Sequence, residues 1–447
     1  MPPQLLAGPI LATLLRLAAP NVLALFLTAA VAVAETYYIG RLGTPPLAAM
    51  ALVFPFAMLT QMLSAGAMGG GVSSAVSRAL GAGDRPRAQA LAVHALVIGA
   101  GLGAVYTALF VACGPVLYRA LGGAGEVLAE ASRYGAVLFA GAWLVWLANT
   151  LASIIRGTGN MRVPSAGIAA MALVQIALGG ALGLGAGPLP RLGMVGVALG
   201  HVVATALGVA LFFGYLRRAR GPLRLGLAGF VPRREMFDDI LRVGAIACLS
   251  PLQAVLTALI FTALVARVGV GALAGYGIGQ RLEFLLIPIA FGVGVAAVPM
   301  VGMAIGAGQV QRARRVAWTA GAVSAFNLAC VGALVALWPD LWARLFSADA
   351  AVLQHAREYL RVAGPAYPFF GFGLTLYFAS QGAGRVLGPV LAATARLLLV
   401  AAVGAWLVAE GAEGAGAGSV FALAAAAMVV YGLLTAAAVK LTRWGHV

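Results

Sequence analysis

The octapeptide Gly81-Ala82-Gly83-Asp84-Arg85-Pro86-Arg87-Ala88 returns 225 residues later as Gly306-Ala307-Gly308-Gln309-Val310-Gln311-Arg312-Ala313. The spacing is not a coincidence of one motif. Gly157-Thr158-Gly159 returns as Gly382-Ala383-Gly384 at the same offset. Leu15-Arg16-Leu17 returns as Leu241-Arg242-Val243, and Leu47-Ala48-Ala49 as Leu273-Ala274-Gly275, both at 226. Each motif holds the same place relative to a long apolar run, so the chain reads as one half written twice. Six apolar runs separate the copies. That number is even, so both halves run in the same direction, and the predicted relation is a pseudo-two-fold axis along the membrane normal.

Composition says what those runs are. Of 447 residues, 62% are hydrophobic and 9% charged, against about 25% charged in a soluble domain. Too few polar groups exist to cover a water-facing surface, and the abundant glycine suits close helix approach in lipid. Twelve spans are predicted, at 12–40, 46–79, 88–117, 127–155, 162–187, 193–217, 238–266, 272–304, 312–338, 350–380, 386–409 and 416–440. They define an all-α membrane protein of two six-helix lobes. The N-lobe covers 1–217, a cytoplasmic linker 218–237 and the C-lobe 238–447. The linker is basic and holds Pro222 and Pro232; it reads as a solvated loop near anionic headgroups. The first run, about Leu17 to Ile39, is too long for a signal-peptide core, so no cleavable leader is expected.

The formal net charge of +16 suggests nucleic acid only if its placement is ignored. With both termini in the cytoplasm, seventeen Lys and Arg of the loops and tail fall on the cytoplasmic side. Five (Arg41, Arg119, Arg191, Arg267 and Arg344) fall on the other. That is the positive-inside pattern, and no nucleic-acid partner is expected. Cys113, Cys248 and Cys330 lie in apolar runs without ligand spacing and read as buried small hydrophobes. No phosphate-cradling loop with a lysine, paired His/Cys set or nucleophile motif occurs. The chain is therefore expected not to be an enzyme and to use neither cofactor nor metal.

The candidate functional residues are the polar ones inside the spans. An acid at bilayer depth is costly and is a functional candidate by default. Each half supplies one: Glu35, about 7–8 Å below the end of the first span, and Glu283, about a third of the way into the eighth. Both are read as ion-coupling residues. Gln280 and Arg281 flank Glu283, but Arg281 and Glu283 are two residues apart and do not face each other on a helix. Arg281 is the one arginine this reading places at depth. Gln61, Asn149, Gln175 and Gln253 are cavity candidates, although intramembrane amides more often bond neighbouring helices. Tyr37, Tyr276 and Phe284 are aromatic cavity candidates, with lipid-facing packing as the alternative. His94 and His201 read as packing residues. Pro20 interrupts the first span and is a candidate hinge.

Several motifs together resemble the multidrug and toxic compound extrusion (MATE) family. They are Pro20 with Glu35, Ile39-Gly40-Arg41-Leu42-Gly43, Leu47-Ala48-Ala49, the run from Val76 to Asp84, Arg156-Gly157-Thr158-Gly159-Asn160, and their second-half echoes. The resemblance covers nearly the whole chain. It implies a monomeric two-lobed secondary exporter of the bacterial inner membrane, working by alternating access. It also implies that amphipathic, cationic small molecules leave as a cation enters. Glu35 matches the acidic position of the first helix that many members use in coupling, usually as Asp. The fifth helix carries Gln175 where some members have an acid, and the tenth has no acid at depth. H⁺ is favoured as the coupling ion, with Na⁺ as the alternative, because few oxygen ligands beyond Thr36 and Thr28 lie near Glu35. A lipid-linked precursor flippase of the same superfamily and a major-facilitator-type carrier are the rival readings.

Overall fold

The computed structural model describes residues 3–185, 190–218, 223–226, 230–409 and 416–445. The ends of two expected features, 186–187 of the fifth span and Arg220 and Pro222 of the linker, lie outside these residues. Among the described residues there is no strand. A backbone inside lipid has no water to bond, and a helix satisfies its own peptide groups. The spans are α1 (Ile10–Gly40), α2 (Thr44–Gly81), α3 (Arg85–Ala120), α4 (Gly125–Gly157), α5 (Arg162–Leu184) and α6 (Met194–Arg218). They continue as α7 (Arg234–Val268), α8 (Val270–Gly306), α9 (Val310–Leu337), α10, α11 (Leu387–Ala409) and α12 (Gly416–Leu441). Eleven of them are long and apolar enough to cross a membrane. The remaining one, α10, is assembled from Ala350–Ala363, a 3₁₀ turn Gly364–Ala366 and Tyr367–Gly382. Pro365 in that turn lacks an N–H and cannot continue an α-helical ladder.

Three other spans are also less regular than the apolar periodicity predicts. α2 contains a π-helical stretch, Met62–Met68. α4 breaks at Gly141, and α7 turns at Cys248. The repeated Gly-rich motifs explain why the spans end where they do. Gly83 and Gly308 both take positive φ, +80° and +73°, where a side chain is strained. Behind each, an amide bonds back around the helix end: Asp84 N to Ala79 O at 3.0 Å and Gln309 N to Ala304 O at 2.8 Å. That is the Schellman closure that glycine permits. Asp84 then caps α3 through the Arg87 amide, at 2.9 Å.

The chain divides into two compact units. One comprises Ala19–Gly244; the other joins Pro3–Ala18 to Ala245–Val447. Two helices are therefore shared. The first residues of α1 belong with the second unit, and those of α7 with the first. In the first unit Asp239, on α7, receives Arg78 of α2 at 2.5 Å and Arg87 of α3 at 3.0 Å. Gly71 of α2 meets Gly244 so closely that a Cβ on Gly71 would lie 2.8 Å from the Gly244 nitrogen. In the second unit Arg312, the repeat counterpart of Arg87, donates to Leu5 O at 3.2 Å and Gly8 O at 2.7 Å. Among its described residues, the segment from 218 to 237 is partly packed rather than a solvated loop. α7 already begins at Arg234, Leu223 and Leu225 are buried, and the Arg233 amide donates to His94 Nε2 at 2.9 Å. His94 is thus the packing residue it was expected to be. The cysteines are not all buried: Cys113 and Cys330 are exposed and Cys248 is half-buried. In a membrane span an exposed face is an apolar one, so a small hydrophobe is equally at home there.

Two neighbouring aspartates should separate the anchored from the solvated ion pair. Asp239→Ala strands two arginines, one of them buried, and is expected to cost about 1–3 kcal/mol. Asp238→Ala removes a pair to Arg234 at 3.5 Å in which the arginine side chain is 94% exposed; it should leave stability almost unchanged. Thermal unfolding of the two purified variants side by side measures the difference.

Candidate functional site

Among the described residues, each unit holds one carboxylate inside a span without an ion-pair partner, Glu35 and Glu283. In the first unit Glu35 projects from α1 toward α5. Gln175 Nε2 donates to Glu35 Oε1 at 2.6 Å and also to His201 Nδ1, on α6, at 2.8 Å. An amide nitrogen has two hydrogens and no acceptor, so His201 accepts through Nδ1 and carries its own proton on Nε2. Carboxylate, amide and imidazole form one chain across three helices. Thr28 and Thr36, the candidate oxygen ligands, are turned elsewhere. Their hydroxyls bond back to Ala24 O and Ala32 O, at 3.1 and 2.8 Å, as threonines inside helices commonly do.

In the second unit Glu283 of α8 accepts a hydrogen bond from the Tyr359 hydroxyl of α10. The Tyr367 hydroxyl lies buried beside it. Tyr276 packs edge-on against Tyr359 with ring centroids 5.2 Å apart, and it receives Gln280 Nε2 at 2.6 Å. Tyr359, Tyr367 and Tyr276 belong to the main apolar core of this unit. A short helix before α10, Asp340–Ala343, braces the cluster. Trp342 Nε1 donates to Ile278 O at 2.9 Å, and Asp340 holds Arg357 at 2.6 Å. The Arg357 guanidinium keeps the Asp340 carboxyl below its ordinary range. Arg281 points away from Glu283, is exposed, and stacks over Phe346 at 5.1 Å. No described residue forms an ion pair with Glu35 or Glu283.

The other candidates fall elsewhere. Asn149 of α4 donates to Gln61 Oε1 at 3.0 Å and to Ser64 Oγ at 2.8 Å. This amide pair ties α4 to α2 where α2 is π-helical; such bulges recur at functional sites. Gln253 of α7 bonds Thr394 of α11 at 2.7 Å. Tyr37 is 57% exposed and bonded by Arg41, and Phe284 is also 57% exposed; neither meets an interior carboxylate. α1 continues unbroken through Pro20, which stands two residues past the point where α1 passes from one unit to the other.

Three participants escaped the sequence reading. His201 reads as packing because nothing local to it signals the Gln175 contact. Tyr359 lies in an amphipathic stretch, His355 to Arg361, of the predicted tenth span, and nothing in that pattern marks it as a partner of Glu283. Arg396 also lies inside a span, so Arg281 is not the only arginine at depth. The signal was available: a single arginine inside Leu391-Ala-Ala-Thr-Ala-Arg-Leu-Leu-Leu-Val400. Arg396 is 9% exposed.

A helical chain with duplicated halves and unpaired interior acids describes a membrane carrier, and comparison with known proteins agrees. The MatE family model matches residues 20–179 and again 247–407. The chain belongs to the MatE family of multidrug and toxic compound extrusion transporters, and the double match retraces its internal repeat. It is similar to a FAD transporter from Shewanella oneidensis, 27% identical over 90% of each chain. It is also similar to a probable multidrug resistance protein NorM from Thermotoga maritima, 24% identical over 80% of this chain and 77% of that one. Among solved structures, an outward-facing MATE transporter of the MOP superfamily matches with a TM-score of 0.87 and 25% identity over 98% of both chains. A MOP superfamily transporter from Pyrococcus furiosus shares the fold with a TM-score of 0.89 at 24% identity over 98% of both chains.

Tyr359→Phe removes the hydrogen bond that Glu283 accepts from the Tyr359 hydroxyl. It should cost about 1–3 kcal/mol, the desolvation cost of an unsatisfied buried acceptor. Added to Glu283→Leu, the same change should cost much less. A double-mutant cycle read by thermal unfolding measures the coupling, and additive effects would remove Tyr359 as Glu283's partner.

Proposed function

We propose that this chain is a secondary exporter that exchanges amphipathic organic compounds for H⁺, with Glu35 and Glu283 as the coupling carboxylates. The observation that carries the reading is that both acids lie among the packed helices of their units with only neutral hydrogen-bond partners. A charge in such a place costs roughly 2.5–3.5 kcal/mol or more unless something neutralises it. With no arginine or lysine paired to either, the neutralising charge is a mobile one. A proton and a cationic substrate then compete for the same carboxylate, and that competition couples the two fluxes. The donor set favours H⁺ over Na⁺. A hard cation needs several oxygen ligands, whereas Gln175 turns its nitrogen to Glu35 and both nearby threonine hydroxyls are bonded to backbone.

Pro20 suits a hinge in α1 under this reading, because it falls where the helix leaves one unit for the other and removes a backbone hydrogen bond there. The distribution of basic loops supports cytoplasmic termini, and the bacterial relatives support an inner-membrane location. The protein acts as a monomer without a cofactor. The apolar fold and neutral carboxylate clusters support compounds that are cationic and amphipathic.

Proteoliposomes with pH and Na⁺ gradients imposed separately test the proposal, with ethidium as the cationic probe. Wild-type protein should move ethidium against a pH gradient and ignore a Na⁺ gradient. Glu35→Gln should reduce gradient-driven export at least about tenfold, the effect of losing roughly 1.4 kcal/mol of coupling, while remaining folded in the membrane. Glu283→Gln should change the ranking of exported cations. Normal export by Glu35→Gln would remove that residue from the mechanism.

A further inference from the structure

One interior charge has no part in the exchange just described. Arg396 stands nine residues into α11, about 13–14 Å from the start of the helix. It lies on the inward stripe of that helix with Ala393, Val400 and Leu407, opposite the exposed Leu391 and Leu398. It is therefore turned into the second unit and away from lipid. Its guanidinium sits over the Tyr431 ring of α12, 4.8 Å from the centroid. No hydrogen bond or ion pair joins it to a described residue. Its Nε is enclosed and unbonded.

A guanidinium offers five N–H donors in a planar fork. The tyrosine ring answers its charge from one side and accepts none of those donors. The surroundings are polar rather than acidic. Thr435, one turn from Tyr431, has a buried hydroxyl without a partner. Buried polar groups in native proteins are nearly all bonded. A buried arginine without a counter-ion is costlier still. The geometry points to an anion-binding subsite inside the second unit, in which Arg396 holds a phosphate or carboxylate group of a transported organic compound. The planar fork matches such groups bidentately. The inference rests on the exporter reading and widens its substrates to compounds that carry an anionic group beside their apolar body.

Riboflavin, FMN and FAD share one fluorescent ring system and differ in phosphate. Their binding to the purified full-length protein in neutral-lipid nanodiscs isolates the contribution of charge. Wild-type protein should bind FMN or FAD at least about tenfold more tightly than riboflavin, the scale of one charge-assisted bidentate contact. Arg396→Gln should bring that ratio close to one. Arg396→Lys, which keeps the charge and loses the fork, should fall between them. A wild-type ratio near one, or a ratio that survives Arg396→Gln, overturns the subsite. If Arg396→Gln does not fold, the wild-type and lysine ratios decide alone: an unchanged ratio in Arg396→Lys counts against the arginine fork. Nanodiscs containing phosphatidylglycerol separate the two sources of phosphate. A ratio that persists in them supports a transported anion. Loss of the ratio there, with retained lipid released by Arg396→Gln in native mass spectrometry, assigns the site to a headgroup and overturns the proposal. Failure of the exporter reading itself appears elsewhere, as wild-type protein that does not move ethidium under any gradient.

Discussion

Charge placed among apolar helices has to be neutralised by something, and the candidates here are few. The pair Arg78–Asp239, with Arg87 added, resolves the demand internally and anchors the beginning of α7 in the first unit. Glu35, Glu283 and Arg396 do not resolve it that way. Each is held by neutral groups: an amide, a tyrosine hydroxyl, a tyrosine ring. The desolvation cost is present in all these cases, so the unpaired groups persist at a thermodynamic disadvantage that a purely structural role leaves unexplained. The proposed ion coupling at the two acids and anion binding at the arginine would each supply the missing counter-charge from outside the chain.

Duplication supplied the scaffold without supplying the chemistry. The turns at Gly83 and Gly308 close their helices in the same way. Arg87 and Arg312 then occupy equivalent places and do different work. One meets a carboxylate, and the other meets the carbonyls of Leu5 and Gly8. Glu35 and Glu283 are not repeat equivalents: an offset of 225 takes Glu35 to Ile260 and Glu283 back to Met58. The interior charges were thus set independently in two halves that share a backbone plan. Separate sites in separate units allow the two acids to serve different ligands.

The irregular segments cluster where function is expected. α2 becomes π-helical at the Gln61–Ser64–Asn149 contact. α10 breaks into a 3₁₀ turn just before Tyr367. α1 carries Pro20, and α7 turns at Cys248, each within four residues of the handover between units. A regular helix resists bending because every peptide group is bonded. A missing or displaced bond at these points lowers that resistance locally.

How far the sequence reaches is clear from individual residues. Apolar length, basic loops and the offset of 225 determined the all-helical membrane fold, its twelve spans and its two halves, because hydropathy and repetition are properties of the chain in order. Glu35 and Glu283 stood out for the same reason: an acid in an apolar run is visible in one dimension. Their partners were not visible. Gln175 lies 140 residues from Glu35 and Tyr359 lies 76 from Glu283. Whether an amide or a phenol touches a carboxylate depends on which faces of two distant helices meet. The sequence placed Arg281 beside Glu283, and the helix turned it away to Phe346. It also contained Arg396 in plain view, but only the packing of α11 against α7 and α12 shows that this arginine faces inward and has no acid to meet. Periodicity along a chain determines which segments enter the membrane, and the meeting of helix faces decides which charges inside it are left for a ligand.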